Sequence, residues 1–219
     1  MKRFLLCLLV IISIPACSQV NNQSKNTKHV GGNCEGCEAI YEGPVAFDKL
    51  TNTATLPDYN EPGPKLEISG TVYQRDGKTP AKDVVLYVYH TDQTGHYTPA
   101  PDAKGWAKRH GRIRGWVKTD KNGFYHFYTL KPAPYPGTNI PAHIHITLKE
   151  PDKNEYYIDE YLFEGDPFLT KTERGRQEKR GGSGIISLEQ KNARLPDGQG
   201  MLHGKRDIVL GLNIPNYDD

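Results

Sequence analysis

Between Leu66 and Leu212 the apolar runs are short and separated by glycine, proline, asparagine and aspartate. Leu66-Glu-Ile-Ser-Gly-Thr-Val-Tyr-Gln74 alternates in character, and Val84-Val-Leu-Tyr-Val-Tyr-His90 is rich in β-branched and aromatic residues. Both patterns suit strands, whose side chains point alternately to opposite faces. Further runs of this kind are Ile113–Thr119, Phe124–Leu130, Ala142–Leu148, Tyr157–Phe163, Gly184–Leu188 and Asp207–Leu212. A turn is expected at Asp76-Gly77, and Asp120-Lys-Asn-Gly123 reads as a hairpin turn between two of the runs. No long segment has a 3.6-residue period and no internal repeat is visible. With 22 glycines and 16 prolines, the chain is too heavily punctuated for a helical bundle. The expectation is an all-β protein, a single antiparallel β-sandwich over residues 66–214, long enough to bury a sizeable core.

Of the 219 residues 36% are hydrophobic and 25% charged, which argues against a disordered, collagenous or transmembrane chain. The formal charge of +2 has a local origin. Lys2 and Arg3 precede the apolar run Phe4–Ile12, too short to span a bilayer, and then Ile14-Pro-Ala-Cys17. This arrangement resembles a bacterial lipoprotein signal: residues 1–16 would be removed and Cys17 lipidated. Ser18 next to it is compatible with anchoring in the outer membrane of the cell envelope. Without Lys2 and Arg3 the acidic and basic residues balance, so nothing points to nucleic acid.

Residues 17–40 are mostly polar and read as a tether, residues 41–65 with Pro57, Pro62 and Pro64 as an extended arm, and residues 215–219 as a tail. Cys34 and Cys37 form a CxxC pair, which can be a small disulfide loop, half of a zinc site or a redox motif. No second CxxC exists and no βαβ pattern surrounds this one, so in an exported chain a structural disulfide is expected.

In Pro141-Ala-His143-Ile-His145, the two-residue spacing puts both imidazoles on one face of a strand, where they can present two nitrogens to one metal ion. Two of the thirteen tyrosines stand out beside this pair. Tyr135 is held between Pro134 and Pro136 just before the strand, and Tyr97 follows Gly95-His96 in a loop. Taken singly, each is better explained by packing.

Taken in order, these motifs resemble the intradiol ring-cleavage dioxygenases, relatives of the catechol 1,2- and protocatechuate 3,4-dioxygenases. The resemblance covers about Leu66 to Asn213. It includes Ile68-Ser-Gly-Thr-Val72, Gly95-His-Tyr97, the long segment Arg114-Gly-Trp through Pro134-Tyr-Pro136, Pro141-Ala-His-Ile-His145, Phe163-Glu-Gly-Asp-Pro167 and Arg206-Asp-Ile-Val-Leu210. It implies a mononuclear non-haem Fe(III) held by Tyr97, Tyr135, His143 and His145. Tyr135 would also act catalytically, leaving the metal and taking up a substrate proton, and the substrates would be a catechol-type aromatic and O2. Two phenolates would suit a ferric ion, because hard oxygen anions favour the higher charge.

Three positions depart from the family pattern. Ile140 stands where an arginine usually precedes Pro-Ala-His, Glu160 where a glutamine is frequent, and Gly137 where an aromatic often follows Tyr-Pro. The pocket is therefore expected to differ around Ile140 and Glu160. The basic run Lys104–Arg114 is either a solvated loop or the source of the missing positive charge, with Arg112 or Arg114 reaching the substrate, while the run Lys171–Arg180 reads as solvated surface. Other classes remain: an envelope lipoprotein that binds catechol-containing ligands without turnover, or a prealbumin-like spacer or adhesion module, since Gly70–Pro80 also resembles the opening of such modules. A zinc hydrolase lacks an obvious third ligand.

Overall fold

The computed structural model describes residues 29–194 and 200–217. The signal segment and Cys17 lie outside them. The strands are β1 (Thr53–Thr55), β2 (Lys65–Tyr73), β3 (Val85–Tyr89), β4 (Arg114–Lys118), β5 (Phe124–Leu130), β6 (His143–Lys149), β7 (Glu155–Tyr157), β8 (Tyr161–Phe163), β9 (Ile185–Ile186), β10 (Leu188–Arg194), β11 (Gly200–Lys205) and β12 (Ile208–Val209). Two short α-helices, α1 (Ala107–His110) and α2 (Lys171–Gly175), lie in the connections, and two 3-10 helices span Cys37–Glu42 and Phe47–Lys49 before the first strand. One sheet runs β1-β5-β2-β11-β10 with β12 also on β2; the other runs β4-β3-β6-β8-β9 with β7 also on β6.

The sandwich follows from alternation. Leu86 and Val88 of β3 and Ile144, Ile146 and Leu148 of β6 face Leu66, Ile68, Tyr125 and Phe127 of the other sheet, all buried in one core. At ~25 cal/mol per Å² of apolar surface, this interior is the main stabilising term. The sheets are mixed rather than purely antiparallel: β1 joins β5, β11 and β12 join β2, and β9 joins β8 in parallel.

The turn at Asp120–Gly123 forms, with the Asp120 carboxylate accepting from the backbone of Asn122 and Phe124. It is not a hairpin turn, however. β4 pairs with β3 while β5 pairs with β2, so the turn carries the chain from one sheet to the other. Both strands have an apolar side to bury, and crossing between the layers lets each bury it in the same core.

The polar-tether reading of residues up to 40 also needs correction. Val30, Cys37, Ala39 and Ile40 are buried. Ala39 and Ile40 cover the outer face of the second sheet, packing with Val85 and Tyr87 against Phe47, Leu50, Trp106 and Trp116. This patch is apolar because β3 carries aromatic side chains on its outward face as well, and the N-terminal segment is the cover they require. The tail is tied down as well: the Pro215 carbonyl accepts from Gly31, and Tyr217 donates to Glu150. Within the Lys171–Arg180 run, Arg180 is buried with its guanidinium over the Tyr157 ring, 4.3 Å from the centroid. The rest of that run bears out a solvated surface only in part, since Arg174 is paired with Glu164.

Candidate metal centre

His143 and His145 project from β6 onto the outer face of the second sheet, while Ile144 and Ile146 enter the core. β3 lies beside β6 with Tyr89 opposite His145, so the Tyr89 ring stacks on the imidazole with centroids 4.5 Å apart. Tyr97 and Tyr135 come from two loops that meet on this face. Asp92 builds the first loop: its carboxylate accepts from the Thr94 and Thr98 hydroxyls and from the Thr94 and His96 amides. Gly95, at φ +80°, then rests directly on the second loop; a Cβ there would lie 2.2 Å from the Pro134 carbonyl oxygen. Only glycine permits that approach.

The result is a tight cluster of four atoms. Tyr97 Oη lies 2.6 Å from Tyr135 Oη and 2.8 Å from His145 Nε2; Tyr135 Oη lies 3.0 Å from His143 Nε2, and the two Nε2 atoms are 3.2 Å apart. The proton inventory shows what this cluster suits. His143 Nδ1 faces the Pro141 carbonyl at 2.8 Å, which can only accept, so the proton sits on Nδ1 and the Nε2 lone pair points into the cluster. His145 Nδ1 faces a Glu160 carboxylate oxygen at 3.2 Å, with the same consequence. If both phenols donate to these nitrogens, no proton is left for the contact between the oxygens or the contact between the nitrogens. Two facing pairs of lone-pair donors are the chemistry of a cation site, with outer partners that fix ligand tautomers.

Electrostatics in the protein alone agree. Burial, then the Tyr135 hydroxyl, raise Tyr97 far above the ordinary phenol range, and burial raises Tyr135. Burial, then His145, lower His143, so it stays a neutral donor. Only a strongly charged metal would convert these phenols to phenolates near neutral pH. Burial opposes ionisation of Glu160, but the hydrogen bond it accepts from His145, with the positive charge of Arg206 behind it, holds the carboxyl below the usual range. Glu160→Ala should therefore weaken metal affinity by roughly 10–100-fold, with Glu160→Gln recovering part of the loss, as read by competition with a chelator.

The Tyr97 loop has its own acid sensitivity. Partial burial works against the Asp92 carboxylate, but its hydrogen bonds to Thr94, Thr98 and His96 prevail and lower it to about 2. A depressed folded-state pKa gives stability that is present above the unfolded value of about 3.9 and is lost as pH falls toward the folded one. The stability gap between the protein and Asp92→Asn should close as pH drops from about 4 to about 2 in metal-free unfolding experiments. A gap independent of pH would show that the charge is not what holds the loop.

A cleft of about 320 Å³ opens beside the cluster, lined by Tyr97, Tyr135, His145, Tyr89, Trp106, His110, Arg109 and Glu35. Of the expected substrate residues, Arg112 and Arg114 are not there. Arg112 is held by the Asp58 carboxylate at 2.7 Å and Arg114 by Glu42 at 2.9 Å. Their acidic partners come from the 41–65 arm, far off in sequence, which is why the basic run looked unpaired. Ile140 is exposed and does not line the cleft, and Glu160 acts behind His145. Arg109 is the cleft's cation. His110 and Tyr89 also went unread, although the i, i+2 spacing of Tyr87 and Tyr89 signals an aromatic outer face. The His110 and Tyr89 rings stack at 3.8 Å, and burial pushes His110 down to about 4. Cys34 and Cys37 are disulfide-bonded.

Among the described residues no group of three or more His, Cys, Asp or Glu is placed to hold a metal ion. The family profile described as Dioxygenase matches residues 40–175. A catechol 1,2-dioxygenase 1 of Acinetobacter lwoffii is 32% identical over 143 residues, 58% of this chain and 44% of its own length. A protocatechuate 3,4-dioxygenase beta chain of Burkholderia cepacia is 30% identical over 134 residues, 58% of this chain and 55% of its own. The chain spans about half the length of these curated relatives. In fold it is similar to a catechol 1,2-dioxygenase from an Acinetobacter species, with TM-score 0.54, 19% identity and coverage of 73% of this chain and 56% of that one. It is likewise similar to a 3-chlorocatechol 1,2-dioxygenase of Rhodococcus opacus, with TM-score 0.54, 20% identity and coverage of 71% and 64%. With the profile spanning well over half of the chain and the sandwich shared with these structures, the chain belongs to the dioxygenase family of intradiol ring-cleaving enzymes.

Proposed function

We propose that this protein cleaves the ring of a catechol-type aromatic between its two hydroxyl-bearing carbons, using O2 and a mononuclear non-haem Fe(III) held by Tyr97, Tyr135, His143 and His145. The observation that carries the reading is the convergence of two phenol oxygens and two imidazole Nε2 atoms within 3.2 Å of their neighbours beside an aromatic cleft. Two phenolates and two neutral imidazoles would leave a ferric ion with one net positive charge, a good match for an incoming catecholate. When bound, the metal supplies a template and a Lewis acid that render the catecholate reactive toward O2.

The chain's own residues do the rest. Tyr89, Trp106 and His110 form an aromatic wall that excludes water and accepts a flat ring. Tyr135, which would be a phenolate with the ferric ion in place, sits at the cleft on a proline-framed loop, where its Oη can take up a proton from a catechol hydroxyl and become a neutral phenol. Glu160 and the Pro141 carbonyl hold the two imidazoles in the donor tautomer. Tyrosinate bound to Fe(III) is reddish, so aerobic iron loading should colour the protein, and catechol should then drive O2 uptake at one molecule per ring opened. A colourless loaded protein removes the iron reading; colour with catechol binding but no O2 uptake turns it into a binding protein.

We further propose that residues 1–17 export and lipid-anchor the chain, on the strength of Lys2, Arg3, the Phe4–Ile12 run and Cys17. Incorporation of a labelled fatty acid that is lost in Cys17→Ala tests this.

A further inference from the structure

The Cys34–Cys37 loop lies on the face that carries the Tyr97, Tyr135, His143 and His145 cluster, with Glu35 lining the same cleft as Tyr97, Tyr135 and His145. Cys37 is buried and its sulfur accepts from the Thr147 hydroxyl of β6 at 3.7 Å, which fixes one end of the loop on the strand that carries both histidines. Gly36, at φ +85°, packs its backbone on α1; a Cβ there would be 2.9 Å from His110 Nε2 and 3.1 Å from Trp106 Cζ3. Glu35 reaches Arg109 at 2.6 Å, and the Arg109 guanidinium in turn lies 5.2 Å from the Trp106 ring centroid. The loop is thus seated on β6 at one end and latched to α1 at the other, with Tyr89 and His145 beneath it.

Two spaces open against the loop. On one side is the cleft of about 320 Å³ that opens on Tyr97 and Tyr135; on the other is a cavity of about 260 Å³ that reaches Tyr157, Ile158 and Glu160. Both are lined by Glu35, Tyr89 and His145, so Glu35 is the loop residue at their common boundary.

Resting on the functional reading above, we propose that Glu35, held in place by the Cys34–Cys37 disulfide and latched to Arg109, is a specificity-determining residue that limits the size of the ring substituent the cleft admits. A catechol held by its two oxygens directs the rest of its ring away from the cluster, and Glu35 is the boundary such a substituent meets. Without the latch the two spaces join and a bulky group gains room. Discrimination by packing alone is worth about tenfold or more for a group of this kind.

The test uses the iron-loaded full chain under anaerobic conditions, so that no turnover occurs, with the charge-transfer band titrated by catechol and by 4-tert-butylcatechol. The quantity read is the ratio of the two dissociation constants. In Glu35→Ala, whose side chain is exposed, the ratio should move about tenfold in favour of the tert-butyl compound relative to the native protein. Cys34→Ser, which removes the staple and leaves buried Cys37 in place, should move it the same way. A shift of the band by both catechols with ratios within about twofold of the native value in both variants overturns the inference alone. No shift with either catechol in any of the proteins overturns the functional reading and the inference with it.

Discussion

Replacing His143 with alanine should bleach the iron-loaded protein and lower kcat/KM for catechol cleavage by roughly a thousandfold or more. A metal of this type contributes several kcal/mol of transition-state stabilisation, and each ~1.4 kcal/mol is a factor of ten. His143 is also where the cluster is most strictly organised. It is buried, its Nδ1 is fixed on the Pro141 carbonyl at 2.8 Å, and its Nε2 receives the Tyr135 hydroxyl at 3.0 Å. Alanine removes one of the two imidazole donors of the cluster. Tyr135→Phe is the informative companion: it keeps the ring and its packing, removes one phenolate, and should leave Tyr97 as the source of a weaker colour. Absorption of the loaded variants, with metal content measured on the same samples, checks both. Undiminished colour in His143→Ala would remove His143 from the metal centre.

Gly70→Ala should destabilise the protein by about 3 kcal/mol, measured by denaturant unfolding, although it lies on neither the cleft nor the metal cluster. A Cβ at residue 70 would lie 1.7 Å from the Arg206 carbonyl oxygen and 3.0 Å from Tyr125 Oη. That carbonyl also accepts from the Tyr125 hydroxyl at 2.8 Å, and the Arg206 amide donates to Ser69, so the backbone that must move is tied on both sides. Arg206 itself is buried, its guanidinium donating to the Asp159 carbonyl at 2.6 Å and lying 4.9 Å from the Tyr161 centroid. A flexible side chain could give way; a pinned backbone carbonyl beside a buried cation cannot. A stability change below about 0.5 kcal/mol would mean that the crossing at Gly70 is looser than described.

Both substitutions sit in segments that resemble the family, yet they were legible to different degrees. The His-X-His spacing is read from the strand period itself, since residues two apart share a face whatever the strand pairs with. Gly70 is different. The glycine in Ile68-Ser-Gly-Thr-Val72 is visible, but nothing local says that a chain segment 136 residues further on, ending at Arg206, crosses over it. The same limit explains the misread turn at Asp120–Gly123. Its residues specify a turn, and the partners of β4 and β5, drawn from β3 and β2, decide that the turn joins two sheets.

The basic run between Lys104 and Arg114 shows the limit in electrostatic form. Its charges are plain in the sequence, but which of them face the cleft depends on acids elsewhere. Asp58 and Glu42 take Arg112 and Arg114 out of contention, and Glu35 leaves Arg109 at the cleft. Charge pairing acts through space over a few ångströms, so it cannot be read from neighbours along the chain.

By itself, then, the sequence, with Tyr97 and Tyr135 singled out only by the family resemblance, determined the β character, through period-two alternation and dense turn residues, and the shared strand face of His143 and His145. Those properties are local or are carried by residue type. Only the tertiary structure decided that the strands form two mixed sheets, that residues 30–42 are a working wall rather than a tether, and that Glu160 and the Pro141 carbonyl turn two imidazole lone pairs toward two phenols. The reason is physical: burial, lone-pair direction and ion pairing depend on which distant segments meet, and that is settled by packing the whole chain around one core.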